Sequence, residues 1–369
     1  MIFLIFIHSL HSGGAERVTA NLANHWARKG WRVTVVTLAP IDSDFYKLHS
    51  SVHRITLDVE SKGGNLLAGL ANNIARLRSL RRVLKQVNPD VALAMMSTAN
   101  ILLALAATGL NNIKTIGSER THPPRMPLGK AWEFLRAWSY GRLHSVVALT
   151  EESATWLREN TRAPHTSVIP NAACWPLQLQ EPYLDLPVRP TGQRWLIAAG
   201  RLVTSKGFDL LISVFQRLAP DYPDWHLIIL GEGPERCRLQ AQISSNNLDN
   251  CISLPGQAGN IAKWYEAADI YVMTSLFEGF PNTLVEAMAH GLPAVSFDCD
   301  TGPRDIIRHE IDGLLVRPGD IAALEVALRQ LMNKEITRKQ FSERAMDVRD
   351  RFSTDHIASM WENLYRSNN

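Results

Sequence analysis

Cysteine is scarce in this chain, and long hydrophobic runs are missing. Among 369 residues there are four cysteines, with no C-x-x-C spacing: Cys174, Cys237, Cys251 and Cys299. The sequence therefore predicts neither a zinc site nor a disulfide framework, and it favours the reducing cytoplasm. The apolar start, "MIFLIFI", has no basic residue before it and breaks at His8. We therefore expect a buried first strand rather than a signal peptide or a transmembrane helix.

The charges nearly balance, at a net +3, and the chain is 46% hydrophobic and 20% charged. This composition indicates a globular protein rather than a disordered one, and the length favours two domains. Residues 1–170 hold 20 Lys and Arg against 11 Asp and Glu, a balance of +9, which leaves −6 for the rest. A basic first half favours an anionic partner such as nucleic acid, a phosphorylated substrate or a membrane surface. A solvated basic face would explain the charge equally well.

Short apolar or β-branched runs alternate with helical periods in both halves of the chain. In the first half, the helical periods include Glu16–Lys29 and Leu66–Val87. Such alternation is typical of a parallel sheet with helices on both faces, whose ligands bind at the carboxyl ends of the strands. The alternation stops at a proline-rich stretch and then resumes. We therefore predict a first domain over residues 1–171, a linker over 172–193 and a second domain over 194–352.

Gly13 and Gly14 lie between the first predicted strand and a helix. Glycines at this place let backbone N–H groups approach an anion at the start of the helix, where the helix dipole also favours negative charge. The full G-x-G-x-x-G fingerprint is absent, and a tight turn is an equally good explanation.

Two cations follow the first strand of the second half, in "AAGRLVTSKGFDLLI". Arg201 comes directly after the strand, and Lys206 precedes Gly207, which opens a helix. Arginine binds phosphate oxygens through two parallel hydrogen bonds and lysine adds a point charge, so the pair suits a diphosphate. Two exposed basic residues in a loop are the alternative.

The stretch "SLFEGFPNTLVEAMAHGLPAVSFD" places Glu278 in a loop and Glu286 in the following helix. A carboxylate that accepts hydrogen bonds from adjacent hydroxyls is how α/β sites bind ribose or sugar. The loop "GFPNT" would offer N–H groups at a helix start to a phosphate. Alternatively, Glu278 caps this helix and Glu286 pairs with a surface lysine.

Five segments occur in order along nearly the whole chain: "HSGGAERV", "GRLVTSKG", "LGEGPE", "SLFEGFPNTLVEAMAHGLPAV" and "DGLLVRPGD". In this combination the sequence resembles the retaining glycosyltransferases of the GT-B fold, specifically family 4, the glycosyl transferases group 1. The resemblance implies an α/β fold of two doubly wound, Rossmann-like domains that face a cleft. It also implies that a final helix, residues 353–369, crosses back to the first domain.

The resemblance further implies how a sugar-nucleotide donor is bound. Arg201 and Lys206 would bind the diphosphate, Glu286 the ribose hydroxyls and Glu278 the donor hexose. The other donor contacts that it implies are Gly13, Gly14, Gly256, Gly279, Phe280, Pro281, Asn282, Thr283 and Leu284. It implies no metal. Asp298 and Asp300 in "FDCDTGP" follow a predicted strand of the second half, and we interpret them as loop acids rather than as a metal-binding D-x-D motif.

One stretch departs from the family pattern. Many relatives carry a histidine after the fifth strand of the first domain that reaches the donor sugar, whereas this chain reads "GSERTHPP". Arg120 takes the corresponding place, and His122 follows two residues later. An arginine there could stabilise charge on a leaving diphosphate, and a neutral histidine could donate a hydrogen bond. Both are catalytic candidates beside Arg201, Lys206 and Glu278.

One predicted helix carries four cations, Arg78, Arg81, Arg82 and Lys85, on one stripe. An apolar stripe on the same helix consists of Leu66, Leu70, Ile74, Leu77, Leu80 and Leu84. In family members that extend lipid-diphosphate-linked oligosaccharides, a basic helix at this place binds the diphosphate of the acceptor. The resemblance thus makes the four cations acceptor ligands, and an ordinary amphipathic surface helix is the alternative.

The residues and the resemblance together lead us to expect a cytoplasmic, metal-independent retaining glycosyltransferase, peripheral on the inner face of the membrane. It would move a hexose or N-acetylhexosamine from a UDP-sugar to a lipid-linked, undecaprenyl-diphosphate-type saccharide in surface polysaccharide or glycan assembly. No cofactor and no nucleic acid partner are expected. The alternatives are a soluble acceptor, a GT-B-fold sugar-nucleotide 2-epimerase or hydrolase, and a non-enzymatic sugar-binding protein, which would not need two cations for a diphosphate.

Overall fold

The protein consists of two compact units. The computed structural model describes residues 1–11, 13–57 and 66–366. The first unit consists of residues 1–171 together with the C-terminal segment from Ile357. The second unit spans Ala172–His356.

The first unit is built on a parallel sheet covered by helices. Its strands in the described residues are β1 (Ile2–Ile7), β2 (Arg32–Thr37), β3 (His53–Thr56), β4 (Val91–Met95), β5 (Lys114–Ser118), β6 (Ser145–Ala148) and β7 (Thr166–Val168). They pair in the order β3-β2-β1-β4-β5-β6-β7, and every pairing is parallel. Its helices are α1 (Gly14–Arg28), α2 (Leu66–Val87), α3 (Ser97–Ala106), α4 (Lys130–Ser139) and α5 (Glu151–Asn160).

The second unit repeats this architecture with a parallel sheet of its own. The strands are β8 (Arg194–Ala199), β9 (Trp225–Leu230), β10 (Ile252–Gly256), β11 (Ile270–Met273), β12 (Ala294–Phe297) and β13 (Gly313–Val316), in the order β10-β9-β8-β11-β12-β13. The helices are α6 (Phe208–Leu218), α7 (Arg236–Ser245), α8 (Ile261–Ala267), α9 (Asn282–Ala289), α10 (Pro303–Ile306), α11 (Ile321–Asn333), α12 (Glu335–Ala345) and α13 (Val348–Arg351). The doubly wound α/β fold predicted from the sequence is confirmed in both halves.

The last helix, α14 (Thr354–Arg366), completes the core of the first unit. Tyr365 is 3% exposed, and its ring centroid lies 5.1 Å from that of Phe3 on β1 and 5.9 Å from that of Trp26 on α1. Lys114 on β5 donates to the Tyr365 carbonyl oxygen at 2.9 Å. Of the segment predicted as 353–369, the part from Ile357 to Arg366 therefore belongs to the first unit, whereas residues 353–356 belong to the second. Residues 367–369 lie outside the described residues.

The proline-rich segment 172–193 contains no helix and no strand, and it packs on the second unit. Gly259 exchanges backbone hydrogen bonds with this segment, donating to Pro182 O at 2.7 Å and accepting from Gln180 N at 3.2 Å. Asn260 accepts from Leu184 N at 3.0 Å. Over the described residues, no helix has both the length and the apolar content needed to cross a bilayer.

Candidate active site

The candidate site lies at the carboxyl ends of β8 and β11 in the second unit. These strands are neighbours in the sheet, and the strand order reverses between them. In open α/β sheets such a reversal leaves a crevice outside the strand ends, where ligands bind. The loop after β8 carries Arg201 and Lys206, and the loop after β11 carries Glu278. The topology therefore brings Glu278 next to a loop that lies 72 residues earlier in the sequence, counted from Lys206.

Gly207 allows the loop after β8 to approach the end of β11. Its φ is 62°, in the left-handed region, and a side chain there would overlap the carbonyl oxygen of Thr274. Thr274 Oγ1 donates to the carbonyl oxygen of Lys206 at 3.0 Å, and Leu276 N donates to Ser205 O at 2.8 Å. The two loops are thus joined through their backbones.

Lys206 and Glu278 form an ion pair across these loops. Their side chains are 21% and 12% exposed, so both charges lie mostly out of water. The Thr301 hydroxyl donates to the backbone carbonyl of Glu278 and fixes the loop further. Arg201 is exposed. The site therefore offers two cations to a diphosphate and, beside them, a carboxylate that can accept from sugar hydroxyls.

Helix α9 starts just after Glu278. Its N-cap is Pro281, which makes no side-chain cap hydrogen bond, and the Glu278 carboxylate pairs with Lys206, which disagrees with the alternative that Glu278 is the cap. The first N–H groups of a helix have no partner within it and carry the positive end of the dipole, which attracts anions. Phe280 and Leu284 are buried, at 5% and 0% exposure, so they would meet a ligand through their backbones. Gly279 and Asn282 complete the predicted loop.

Tyr271 on β11 is a site residue that the sequence did not reveal. It is fully buried, and its hydroxyl donates to Thr283 Oγ1 at 2.9 Å. Burial raises the pKa of Tyr271, and the carboxylates of Glu278 and Glu286 raise it further, so the phenol keeps its proton at neutral pH. Tyr271 therefore holds Thr283 in place at the start of α9. Because the Thr283 hydroxyl oxygen accepts this hydrogen bond, its own proton is directed away from Tyr271.

Glu286 lies in α9 and is 3% exposed. Its carboxylate, like that of Glu278, acts on the pKa of Tyr271, so both acidic groups border the same buried phenol. This burial disagrees with the alternative of a surface ion pair with lysine. Binding of ribose hydroxyls by the Glu286 carboxylate, of the kind seen in α/β sites, stays a prediction.

Gly256 lies at the end of β10, two strands from β8. Its φ is 114°, and its carbonyl oxygen accepts from Gly231 N at 2.8 Å. A side chain at Gly231 would overlap Gly200 O, and one at Gly233 would overlap Leu202 O. The glycines of "LGEGPE" therefore pack the loop after β9 against the loop that carries Arg201.

Gly13 and Gly14 lie at the start of α1 in the first unit, as its N-cap and its first residue. Gly13 has extended backbone, with φ −138°, so no left-handed conformation requires glycine here. A side chain at Gly13 would overlap the Glu16 carboxylate. That carboxylate lies where the sequence led us to expect the phosphate of a donor, and the donor role of the two glycines stays a prediction.

Arg120 follows β5 and is 7% exposed. Its guanidinium donates to Ser118 Oγ at 3.2 Å and to Asn171 Oδ1, and its Nε has no partner within the described part of the chain. Burial lowers the pKa of Arg120 to about 9, so the group remains cationic at neutral pH. His122 is half-buried, and its Nδ1 lies 2.9 Å from Ser153 Oγ. Arg120 is therefore a buried cation held by neutral groups.

Glu119, next to Arg120, is the centre of a buried network that the sequence did not indicate. Ser97 Oγ donates to its carboxylate at 2.7 Å, the Tyr140 hydroxyl donates to it, and Asn100 Nδ2 donates to Tyr140 Oη at 3.1 Å. Burial raises the pKa of Glu119, against the effect of these hydrogen bonds. The network fixes the backbone that leads into Arg120.

Helix α2 presents only part of its predicted basic stripe to solvent. Arg78, Arg82 and Lys85 are exposed. Arg81 is half-buried, and its Nη1 donates to the carbonyl oxygens of Ala106 at 2.6 Å and Thr108 at 2.8 Å. Arg81 therefore caps the carboxyl end of α3, a structural contact that the prediction of an acceptor ligand did not include.

The apolar stripe of α2 is shorter than predicted. Leu80 and Leu84 are fully buried and Leu77 packs on the core, but Ile74 is 39% exposed, so its predicted place on the docking stripe is wrong. The side chains of Leu66 and Leu70 lie outside the described residues. Among the side chains of α2 that the structure describes, the contacts with the core come from Leu77, Leu80 and Leu84.

Two family models match the chain one after the other. Residues 12–173 match the model of glycosyltransferase family 4, and residues 186–348 match glycosyl transferases group 1. The chain belongs to these glycosyltransferases. An exopolysaccharide phosphotransferase of Streptomyces coelicolor is 33% identical over 291 residues, which cover 78% of this chain and 29% of that protein. The chain thus spans under a third of the length of this relative.

Other similar proteins match this glycosyltransferase over its length. A Campylobacter jejuni α-1,4-N-acetyl-D-galactosaminyltransferase, named for a GalNAc-GalNAc-diNAcBac-diphosphoundecaprenol acceptor, is 25% identical over 97% of this chain and 96% of its own. The Anabaena protein HepE, solved with UDP, has a TM-score of 0.79 at 19% identity, with 100% of both chains covered. The two units are the Rossmann-like domains of a GT-B glycosyltransferase, as predicted.

Within the described residues of this glycosyltransferase, no group of three or more His, Cys, Asp or Glu side chains is arranged to hold a metal ion. Activity without a metal stays a prediction.

Proposed function

We propose that this glycosyltransferase moves a hexose or N-acetylhexosamine from a UDP-sugar to an undecaprenyl-diphosphate-type, lipid-linked saccharide, with retention at the anomeric carbon. The observation that carries the proposal is the grouping of Arg201, Lys206 and Glu278 at the ends of β8 and β11, next to the start of α9.

In the proposed complex, Arg201 and Lys206 bind the diphosphate, and the first amides of α9 add hydrogen bonds to phosphate or sugar oxygens. Glu286 accepts from the ribose hydroxyls and Glu278 from the hexose. The crystal structure of HepE with UDP supports uridine as the nucleotide, since that protein shares the fold.

Departure of UDP places growing negative charge on the diphosphate. Interactions of Arg201 and Lys206 with that charge strengthen towards the transition state and therefore accelerate transfer. The acceptor hydroxyl attacks from the face that UDP leaves, and its proton passes to a departing phosphate oxygen. A covalent role for Glu278 is less favourable, because its pairing with Lys206 lowers the nucleophilicity of the carboxylate.

Arg120 is proposed as a further cation for the leaving diphosphate. Its hydrogen-bond partners in the described residues, Ser118 and Asn171, are neutral, so no carboxylate bonded to it cancels its charge. His122 is proposed as a hydrogen-bond donor to the sugar.

The acceptor is proposed from the names of the Campylobacter relatives, two of which specify diphosphoundecaprenol saccharides. The cations of α2 would bind the acceptor diphosphate, and the protein would act in the cytoplasm on the inner face of the membrane. A 2-epimerase or hydrolase would use the donor without any acceptor.

A thermal-shift screen with UDP, GDP, ADP and their sugars tests the donor. A ligand at 100 times its Kd stabilises the folded protein by about 2.7 kcal/mol, and we expect UDP compounds to raise the melting temperature most. The best donor is then incubated with a synthetic diphospho-lipid saccharide. A new α-linkage in the product, assigned by NMR, supports retaining transfer. UDP release at equal rates with and without acceptor would contradict it.

A further inference from the structure

Helix α4 of the first unit has an exposed aromatic side chain on its outer face. Phe134 is 70% exposed, more than any other aromatic side chain in the described part of the chain. Trp132 and Leu135, on the other side of the helix, pack on the hydrophobic core of this unit. Exposure of a phenyl ring to water costs free energy, so the outer face of α4 suits a partner that removes the ring from water.

Cations lie at both ends of this outer face. Lys130 is one helical turn before Phe134 and is exposed, and Trp138 is one turn after it. The guanidinium carbon of Arg142 lies 3.4 Å from the centroid of the Trp138 ring. We call Lys130, Phe134, Trp138 and Arg142 the α4 face.

The only acidic residue of α4 does not neutralise this face. Glu133 accepts from Leu128 N at 2.9 Å and forms an ion pair with Arg136, which is 1% exposed. The Glu133 side chain is 31% exposed, but its carboxylate already has these two partners within the protein. Arg142 Nη1 also donates to the Trp138 carbonyl oxygen at 3.5 Å, but Arg142 and Lys130 are both exposed, so an external anion can reach them.

We infer that the α4 face docks on an anionic lipid surface. Phenylalanine and tryptophan on one side of a helix enter the boundary between headgroups and acyl chains, and flanking Lys and Arg attract the lipid phosphates. The charge pattern favours lipid over a second copy of the chain, because two such faces would bring cations together. The inference rests on the proposed function, since an enzyme with a lipid-linked acceptor works at a membrane. Its test is independent, because vesicle binding requires neither acceptor nor turnover.

Co-sedimentation of the full chain with vesicles tests the inference. We expect binding to phosphatidylcholine–phosphatidylglycerol vesicles, much weaker binding to phosphatidylcholine alone, and a decline with salt. Lys130→Ala and Arg142→Ala should each weaken binding to the anionic vesicles about fivefold, the equivalent of one interfacial cation. Phe134→Ser should weaken it at any salt concentration.

The matched controls lie in the second unit. Val326→Ser changes a side chain that is 65% exposed on α11, and Lys339→Ala removes a cation that is 73% exposed on α12. Both should bind vesicles as the parent does, and all variants should melt with the parent.

Parent-like vesicle binding by Phe134→Ser, Lys130→Ala and Arg142→Ala would overturn the inference. A change of the sedimentation coefficient in Phe134→Ser without a change in vesicle binding would also overturn it and would assign the face to self-association. An assay of glycosyl transfer in neutral detergent separates membrane docking from the proposed function. Phe134→Ser should retain transfer in this assay. Absence of transfer in the parent protein would contradict the proposed function but not the docking inference.

Discussion

Lys206 and Glu278 form an ion pair although one follows β8 and the other follows β11. Each side chain positions the other before any donor arrives, and a diphosphate that binds Lys206 competes with Glu278 for it. The pair thus links the diphosphate position to the carboxylate proposed for the sugar.

The first prediction concerns this diphosphate position. Arg201→Ala and Lys206→Ala should each lower kcat by roughly two to three orders of magnitude, because both cations act most strongly on the departing diphosphate. Steady-state kinetics with saturating donor measures the effect. Arg217→Ala, which removes a mostly exposed arginine on α6, is the control and should retain activity. Near-normal kcat in both site variants would exclude this role.

The second prediction concerns Gly207. An alanine in the left-handed region costs roughly 1–2 kcal/mol. Gly207→Ala should lower the free energy of unfolding by more than this, because the added Cβ would also overlap Thr274 O. Gly192→Ala is the matched control, since Gly192 has φ 85° but open space around it. Urea denaturation of the two variants should show the difference, and equal losses would mean that the contact with Thr274 is unimportant.

The third prediction follows from the buried carboxyl of Glu119. Glutamate ordinarily titrates near 4.5, and burial raises the pKa in the folded state. The folded state therefore holds a proton that the unfolded chain has released, so the contribution of Glu119 to stability is largest below about 4.5 and declines as the pH rises towards the raised pKa.

Glu119→Gln removes this titration. The unfolding free energy of the variant minus that of the parent should therefore increase from acidic to neutral pH, as measured by denaturation at several pH values. Glu343→Gln, the same substitution at an exposed site on α12, is the matched control against which the trend is measured. A difference that falls with pH would show that the ionised carboxylate is the favoured form in the fold.

The fourth prediction separates the cations of α2. Arg81→Ala should destabilise the protein, by roughly 1.5–3 kcal/mol, since Arg81 donates to two carbonyl oxygens at the end of α3. Arg78→Ala, Arg82→Ala and Lys85→Ala should leave stability unchanged and weaken transfer to a diphosphate-linked acceptor. The assay uses neutral detergent, where no lipid charge contributes. Unchanged transfer in all three would make α2 an ordinary surface helix.

The fifth prediction is that glycosyl transfer continues at the same rate in EDTA. In metal-dependent enzymes a metal ion stabilises the charge of the leaving diphosphate, and here Arg201 and Lys206 would do so. Loss of activity in EDTA that Mg²⁺ or Mn²⁺ restores would contradict the assignment of leaving-group stabilisation to these cations.

The sequence predicted the fold well, because buried parallel strands are short apolar runs whose position does not depend on distant residues. "IFLIFI" and "WHLIIL" are such runs, and they form β1 and β9. It also predicted that Lys206 and Glu278 lie in loops before helices, and both do. It could not foresee that the two would pair, because that depends on β8 and β11 being neighbours in the sheet.

Two of the remaining discrepancies arise from contacts with another element of the fold, and a third is a local contact. Arg81 has the spacing of a solvent-facing stripe, but the end of α3 lies beside it and uses its guanidinium. From the sequence, Tyr271 is an ordinary core residue of β11. Only the fold shows that its hydroxyl has Thr283 as a partner. Glu16 has no signal in the sequence beyond a first-turn acid, yet its carboxylate takes the space beside Gly13.

The place of α14 in the first unit sets an order on biosynthesis. Trp361 and Tyr365 supply buried rings to a core whose other members are translated before Asn171. A ribosome must therefore complete the whole second unit before the first can close around these rings. During that interval the N-terminal sheet emerges with Phe3 and Trp26 not yet covered by Tyr365, and we expect this face to be the part of the nascent chain that chaperones bind.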